Sequence, residues 1–215
     1  MNERLEKLRK LMKERHLDAY LVPTSDFHES EYVGEYFKCR KFLTGFTGSA
    51  GTAVVTADDA GMWTDGRYFV QAAKQLKDSG FTLQKMGQEG VPSINEYLQK
   101  VMPEGGKLGF DGRVINDQMG EGLQEALEDK HVTISYEEDL VGEIWENRPA
   151  LPQEPVFVLR QQYAGESTQD KLARIRAELK KKGADSHLVG SLYDIAWITN
   201  LRGGDILHVP VFLSF

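Results

Sequence analysis

The chain has 215 residues, 40% hydrophobic and 27% charged, with a formal net charge of −7. That length fills one large domain or one and a half, at roughly 100–200 residues per domain, and the acidic balance excludes a general nucleic-acid binder, which needs a basic patch. The one cysteine, Cys39, excludes an internal disulfide framework and fits a reducing compartment.

The N-terminus, MNERLEKLRKLMKERHL, is charged and amphipathic and lacks the apolar centre of a signal peptide. Asn2 is placed to cap a helix carrying Leu5, Leu8, Leu11 and Met12 on one face. A strand over 19–23 follows, then a polar, acidic loop or short helix over 24–36. A glycine-rich approach over 42–51, FLTGFTGSAG, leads into a strand over 52–56 and another over 62–64. Asp65-Gly66 turns the chain into a helix over about 68–77. Next come a strand over 81–85, a helix over 93–101 with Ser93 as cap, a strand over 108–110, a second Asp-Gly turn, a helix over 116–127 and a strand over 132–136. This β–α alternation predicts an α/β layered domain. Three of the seven prolines fall between Pro149 and Pro155, the composition of a semi-rigid linker. Beyond it the sequence predicts a strand over 156–159, a helix capped by Ser167 or Thr168 with Leu172, Ile175 and Leu179, and strands over 184–189 and 211–215. No apolar run approaches the roughly 18 residues of a membrane helix. We expect a cytoplasmic protein.

The second part echoes the first. LRKLMKERHLDAYLV, residues 8–22, aligns without a gap with IRAELKKKGADSHLV, residues 175–189. FLTGFTG at 42–48 resembles WITNLRG at 197–203, and GTAVV at 51–55 has its counterpart in PVFLS at 210–214. Three matches in order point to a duplicated architecture. The first copy continues past GTAVV and the second does not, so a truncated second domain is expected. The expected bounds are 1–148 for the first domain, 149–155 for the linker and 156–215 for the truncated copy.

Few residues offer chemistry. The five histidines lack HxxxH or HExxH spacing. SDFHESE gathers Asp26, His28, Glu29 and Glu31, either a cation site or a solvated acidic loop. GFTGSAGT is not a phosphate loop, since it leads into a strand and holds no Lys or Arg; close backbone packing and positive-φ turns explain its glycines. Cys39 has Lys38 and Arg40 beside it, which would lower its pKa if they face it. Asp65-Gly66-Arg67 and Asp111-Gly112-Arg113 are turns first, but Arg67 stands at a strand end, where α/β sheets place their crevices. A guanidinium there holds a carboxylate or a carbonyl, or else forms a surface salt bridge with Asp65. No metal cluster, dyad or triad is visible, so the residues alone read as a non-catalytic domain and a half.

HESEYV, FLTGFTGSAGTAVV, MWTDGRYFVQAAKQL, EIWENRP and DIAWITNLRGGDILHVPVFLSF, in that order along the chain, resemble the N-terminal half of a three-domain aminopeptidase P, the Xaa-Pro aminopeptidase of the creatinase/prolidase family. The resemblance implies a creatinase N-terminal-like α/β fold, a mixed β-sheet flanked by helices, followed by part of a second copy. It implies a third, "pita-bread" domain whose two Asp, one His and two Glu hold two divalent metals, usually manganese, beyond Phe215. No catalytic residue, cofactor or metal is then expected in this chain. The parent enzyme would release the residue preceding proline from short Xaa-Pro peptides. These domains would cap the active-site mouth, restrict substrate and build a homodimer, with Arg67 reaching substrate. Two alternatives remain on the same scaffold: a metal-free relative that binds histones or peptides as a chaperone module, and creatinase or prolidase chemistry. The second-domain repeat weighs against the latter. Neither nucleic acid nor membrane is an expected partner.

Overall fold

The computed structural model describes residues 2–214. They fall into two compact units. Residues up to Glu29 together with Glu35–Pro149 make the first, and Ser30–Gly34 with the residues from Ala150 onward make the second. Nothing in the sequence marks the excursion of Ser30–Gly34 away from its neighbours.

The first unit opens with helix α1 (Glu3–Glu14), and the Asn2 side chain accepts the Arg4 backbone N–H. Leu5, Leu8 and Met12 are buried on one face. Each fully buried aliphatic side chain of this kind contributes about 1.5–3 kcal/mol. Strand β1 (Ala19–Pro23) follows. Part of the stretch read as a glycine-rich approach is helical: α2 (Cys39–Thr44) runs up to Gly45, which caps it at φ +77°. Strands β2 (Thr52–Thr56) and β3 (Ala60–Thr64) form a hairpin. The helix expected over 68–77 is split into a 3-10 turn, Gly66–Tyr68, and α3 (Phe69–Gln75). Next come β4 (Thr82–Lys85), α4 (Ile94–Val101), β5 (Lys107–Phe110), α5 (Asp117–Leu127), β6 (Thr133–Ser135) and α6 (Leu140–Ile144). A full capping box starts α4, with Ser93 and Glu96 each accepting the other's backbone N–H.

These strands make one mixed sheet in the order β4-β3-β2-β1-β5-β6. β1 pairs antiparallel with β2 and parallel with β5, β2 antiparallel with β3, β3 parallel with β4 and β5 parallel with β6. Both faces are covered. Tyr20, Val22, Ala53, Val55 and Met62 pack with α1, α3 and α6 residues on one side. Ala19, Leu21, Val54 and Trp63 pack with α4 and α5 residues on the other. The period-two alternation of strands therefore fills two cores.

In the second unit, β7 (Phe157–Val158) pairs antiparallel with β8 (Leu201–Arg202). Between them lie α7 (Gln161–Ala164), α8 (Thr168–Lys181), capped by Ser167, and α9 (Leu192–Thr199). The helix pair repeats the side-chain geometry of the first unit. In the first, Arg4 donates to the Phe42 carbonyl and stacks on the Phe42 ring at 4.3 Å. In the second, Lys171 donates to the Trp197 carbonyl and sits over the Trp197 ring at 4.5 Å. Thr44 Oγ1 donates to the Arg40 carbonyl and accepts the Phe46 N–H. Thr199 Oγ1 likewise donates to the Ile195 carbonyl and accepts the Leu201 N–H. Left-handed Gly45 and Asn200 end the two helices.

Two expected strands are absent. Residues 184–189 and the described part of 211–215 are irregular, Phe215 itself lying outside the described residues, and Leu188 is 94% exposed. The reason is pairing. β1, the counterpart of 186–189, is zipped on both edges by β2 and β5. Without ladder partners an extended segment leaves its backbone groups to water and has no sheet to join.

Candidate functional site

Every strand of the large sheet except β2 points the same way, so the C-terminal ends of β1, β3, β4, β5 and β6 share one rim. The loop that enters antiparallel β2 reaches the same rim. Crevices in α/β sheets open at such rims, and both Asp-Gly-Arg turns lie on this one.

Arg67 follows the end of β3. Thr64 closes the strand by donating its hydroxyl to the Ala50 carbonyl at 2.8 Å. Asp65 then caps the 3-10 turn, its Oδ1 accepting the Arg67 backbone N–H at 3.0 Å. The same carboxylate receives Arg67 Nε on Oδ1 and Nη2 on Oδ2, both at 2.9 Å. The Arg67 guanidinium beside it holds the Asp65 carboxyl well below its usual range, at about 2. The Arg67 side chain is 69% exposed and lies over the Tyr68 ring at 5.3 Å.

Arg113 makes the same fork on Asp111, with Nε and Nη2 both at 2.9 Å. Its remaining reach goes to a second carboxylate, Asp139, at 3.2 Å. Asp139 in turn pairs with Arg148 and caps α6 through the Gly142 N–H. Arg113 is thus committed within the first unit, whereas Arg67 has a single carboxylate partner.

The loop beside Arg67 is held from within by Arg40, which is 3% exposed. Arg40 Nε donates to Thr24 Oγ1 at 2.6 Å, Nη1 to the Phe46 carbonyl at 2.8 Å and Nη2 to the Gly48 carbonyl. Its guanidinium also lies over the Phe46 ring at 4.7 Å. Phe46 meets Tyr68 edge-on at 5.9 Å, and Ser49 Oγ shares a 2.6 Å hydrogen bond with the Tyr68 hydroxyl. Gly51, at φ +147°, admits no side chain: a Cβ would lie 2.5 Å from the Trp63 carbonyl. Gly48 and Gly51 of GFTGSAGT therefore serve close packing, and Gly45 serves the left-handed cap of α2. Thr47, Gln71 and Gln75 form an exposed polar network on the same loop and α3. Of this support, the sequence marked the glycines and not the side chains that hold the loop. Arg40 sits in the basic stretch KCRKF, where a solvated side chain is the ordinary expectation.

The other candidates resolve differently. Cys39 is not an activated thiol: burial, and then the Asp139 charge, push it up to about 12. Sequence neighbours Lys38 and Arg40 turn elsewhere, Lys38 to Glu35 and Arg40 to the loop carbonyls. Asp26 is buried and accepts the His28 backbone N–H at 2.8 Å, while Glu29 accepts from Asn116 at 2.6 Å. Among the described residues, no group of three or more His, Cys, Asp or Glu side chains is placed to hold a metal ion. Among them, too, no helix is long and apolar enough to cross a membrane.

Residues 4–141 match the model of the creatinase/prolidase N-terminal domain. The chain belongs to this family. A second model of the same description matches residues 147–215, so both parts of this creatinase/prolidase N-terminal chain carry the signature. It is 48% identical over 217 residues to a probable Xaa-Pro aminopeptidase P of Talaromyces marneffei, covering 100% of this chain and 33% of the relative. It is 39% identical over 220 residues to aminopeptidase P2 of Arabidopsis thaliana, covering 100% and 31%. Among solved structures, the X-prolyl aminopeptidase of Caenorhabditis elegans, described as a cytosolic enzyme with a di-nuclear active site, superposes with a TM-score of 0.87. It is 36% identical over 97% of this chain and 36% of that one. The chain spans about a third of the length of the curated relatives it matches.

Proposed function

We propose that this chain is the N-terminal part of an Xaa-Pro aminopeptidase, a hydrolase that releases the residue preceding proline from short peptides. The observation that carries this reading is the superposition on the nematode X-prolyl aminopeptidase over 97% of the chain at 36% identity. Among the described residues no group of three or more His, Cys, Asp or Glu side chains gathers where a pair of metal ions could sit. In this reading the two divalent metals, manganese by family resemblance, are held by the remainder of the enzyme, and this part caps the active site, limits substrate length and contributes to a homodimer in the cytoplasm. Residues 1–148 act as one domain, 149–155 as linker and 156–215 as part of a second.

Arg67 is the residue of this chain that reaches substrate. Its exposure at the sheet rim and its single carboxylate partner support the assignment. In the longer enzyme, Arg67→Ala is expected to lower kcat/KM for an Xaa-Pro peptide by about tenfold, the worth of one charge-assisted hydrogen bond, with an unchanged unfolding midpoint. Unchanged kinetics would return Arg67 to a surface salt bridge.

A further inference from the structure

The Arg67 fork leaves the guanidinium half used. Nε and Nη2 donate to Asp65, while Nη1 makes no hydrogen bond among the described residues. A guanidinium has five donors in fixed directions, so its unused edge still offers donors to whatever meets the rim. The Asp65 side chain, 37% exposed, is not free to swing aside, because Oδ1 is also tied to the Arg67 backbone N–H at 3.0 Å. The basic residue next along the rim, Lys85 at the end of β4, lies over the Phe69 ring at 5.8 Å.

Such a pair carries no net charge. A neutral carbonyl meeting the free edge gains a hydrogen bond at little electrostatic cost. A carboxylate meeting it places two anions on one guanidinium, and like charges at close range repel. The chain itself supplies the comparison. At Arg113 the same fork does accept a second carboxylate, Asp139, but there a second arginine, Arg148, balances it. Arg67 has one carboxylate and no second arginine in its fork.

We infer that Asp65 is a specificity-determining residue: it presents Arg67 to a neutral peptide carbonyl and disfavours a substrate carboxylate at that position. The inference rests on the reading that Arg67 reaches substrate, and it selects peptides whose chain continues past the Arg67 contact over those that end there.

The test uses the longer enzyme and Xaa-Pro peptides of graded length, each as the free acid and as the C-terminal amide. The readout is the ratio of kcat/KM for amide over acid, so that any loss common to both cancels. Wild type is expected to favour the amide by about fivefold at the length that brings the C-terminus to Arg67, the worth of one unbalanced charge near the surface. Asp65→Asn keeps the oxygen that caps the turn and removes the charge; it is expected to bring that ratio to one or below. Asp65→Ser, which also retains a capping oxygen, is expected to do the same and guards against a folding defect in the first variant. A ratio identical in wild type and both folded variants, with Arg67→Ala still lowering kcat/KM, would overturn the role of Asp65 alone. An Arg67→Ala variant with unchanged kinetics would overturn the Arg67 reading and this inference together.

Discussion

At the residue scale the first unit depends on two arginines used in opposite ways. Arg40 is a buried cation bonded to uncharged oxygens, and burial pushes it down to about 10, so it remains charged at neutral pH. Replacing it by Met leaves the Phe46 and Gly48 carbonyls without their donor. The expected cost is about 2–4 kcal/mol, from two unsatisfied buried acceptors, read as a lower urea midpoint at unchanged slope; a midpoint like wild type would show that water or the backbone replaces it. Arg67 is exposed, and its partner titrates instead. The folded Asp65 carboxyl lies below its ordinary 3.8, at about 2. A depressed carboxyl contributes stability fully present above the unfolded value and lost as pH falls toward the folded one. The difference in unfolding midpoint between wild type and Asp65→Asn is therefore expected to hold above about pH 5 and to shrink toward pH 2. A difference independent of pH would contradict the ion pair. Of these side chains, the position of Arg67 at a strand end was legible because Asp-Gly names a turn and the turn follows an apolar strand. Arg40 was not, because burial of an arginine depends on the carbonyls of a loop folded around it.

At the element scale, much of the first sheet was legible. β1, β2 and β5 are short apolar runs bounded by turn signals, and α1 and α4 announce themselves with Asn2 and Ser93 caps. The helix over Cys39–Thr44 was missed because six residues carry too little periodicity and Gly45 drew attention to the loop instead. The strand expected over 184–189 failed for a different reason: local pattern proposes a strand, but partners make one. The repeat itself reaches deeper than the alignment. Thr44 and Thr199 make the same pair of bonds at the same point of the two helix ends. Thr44→Val is expected to speed hydrogen exchange at the Phe46 amide, and Thr199→Val at the Leu201 amide, each by about fivefold for a bond worth roughly 1 kcal/mol. A response at one site without the other would show that the two ends are alike in shape and not in energetics.

At the scale of the whole molecule, the family is shared by both parts of the chain, and no group of three or more His, Cys, Asp or Glu side chains among the described residues is placed to hold a metal ion. In the proposed reading this part supplies the sheet rim that carries Arg67, and the remainder of the enzyme supplies the hydrolytic centre. The measurement that tests this most directly is a manganese-supplemented Xaa-Pro peptide assay on the 215-residue chain and, side by side, on the longer protein. Cleavage by the longer protein and silence from the chain alone is the predicted result. Manganese-dependent cleavage by the chain alone, or silence from a folded longer protein, would contradict it.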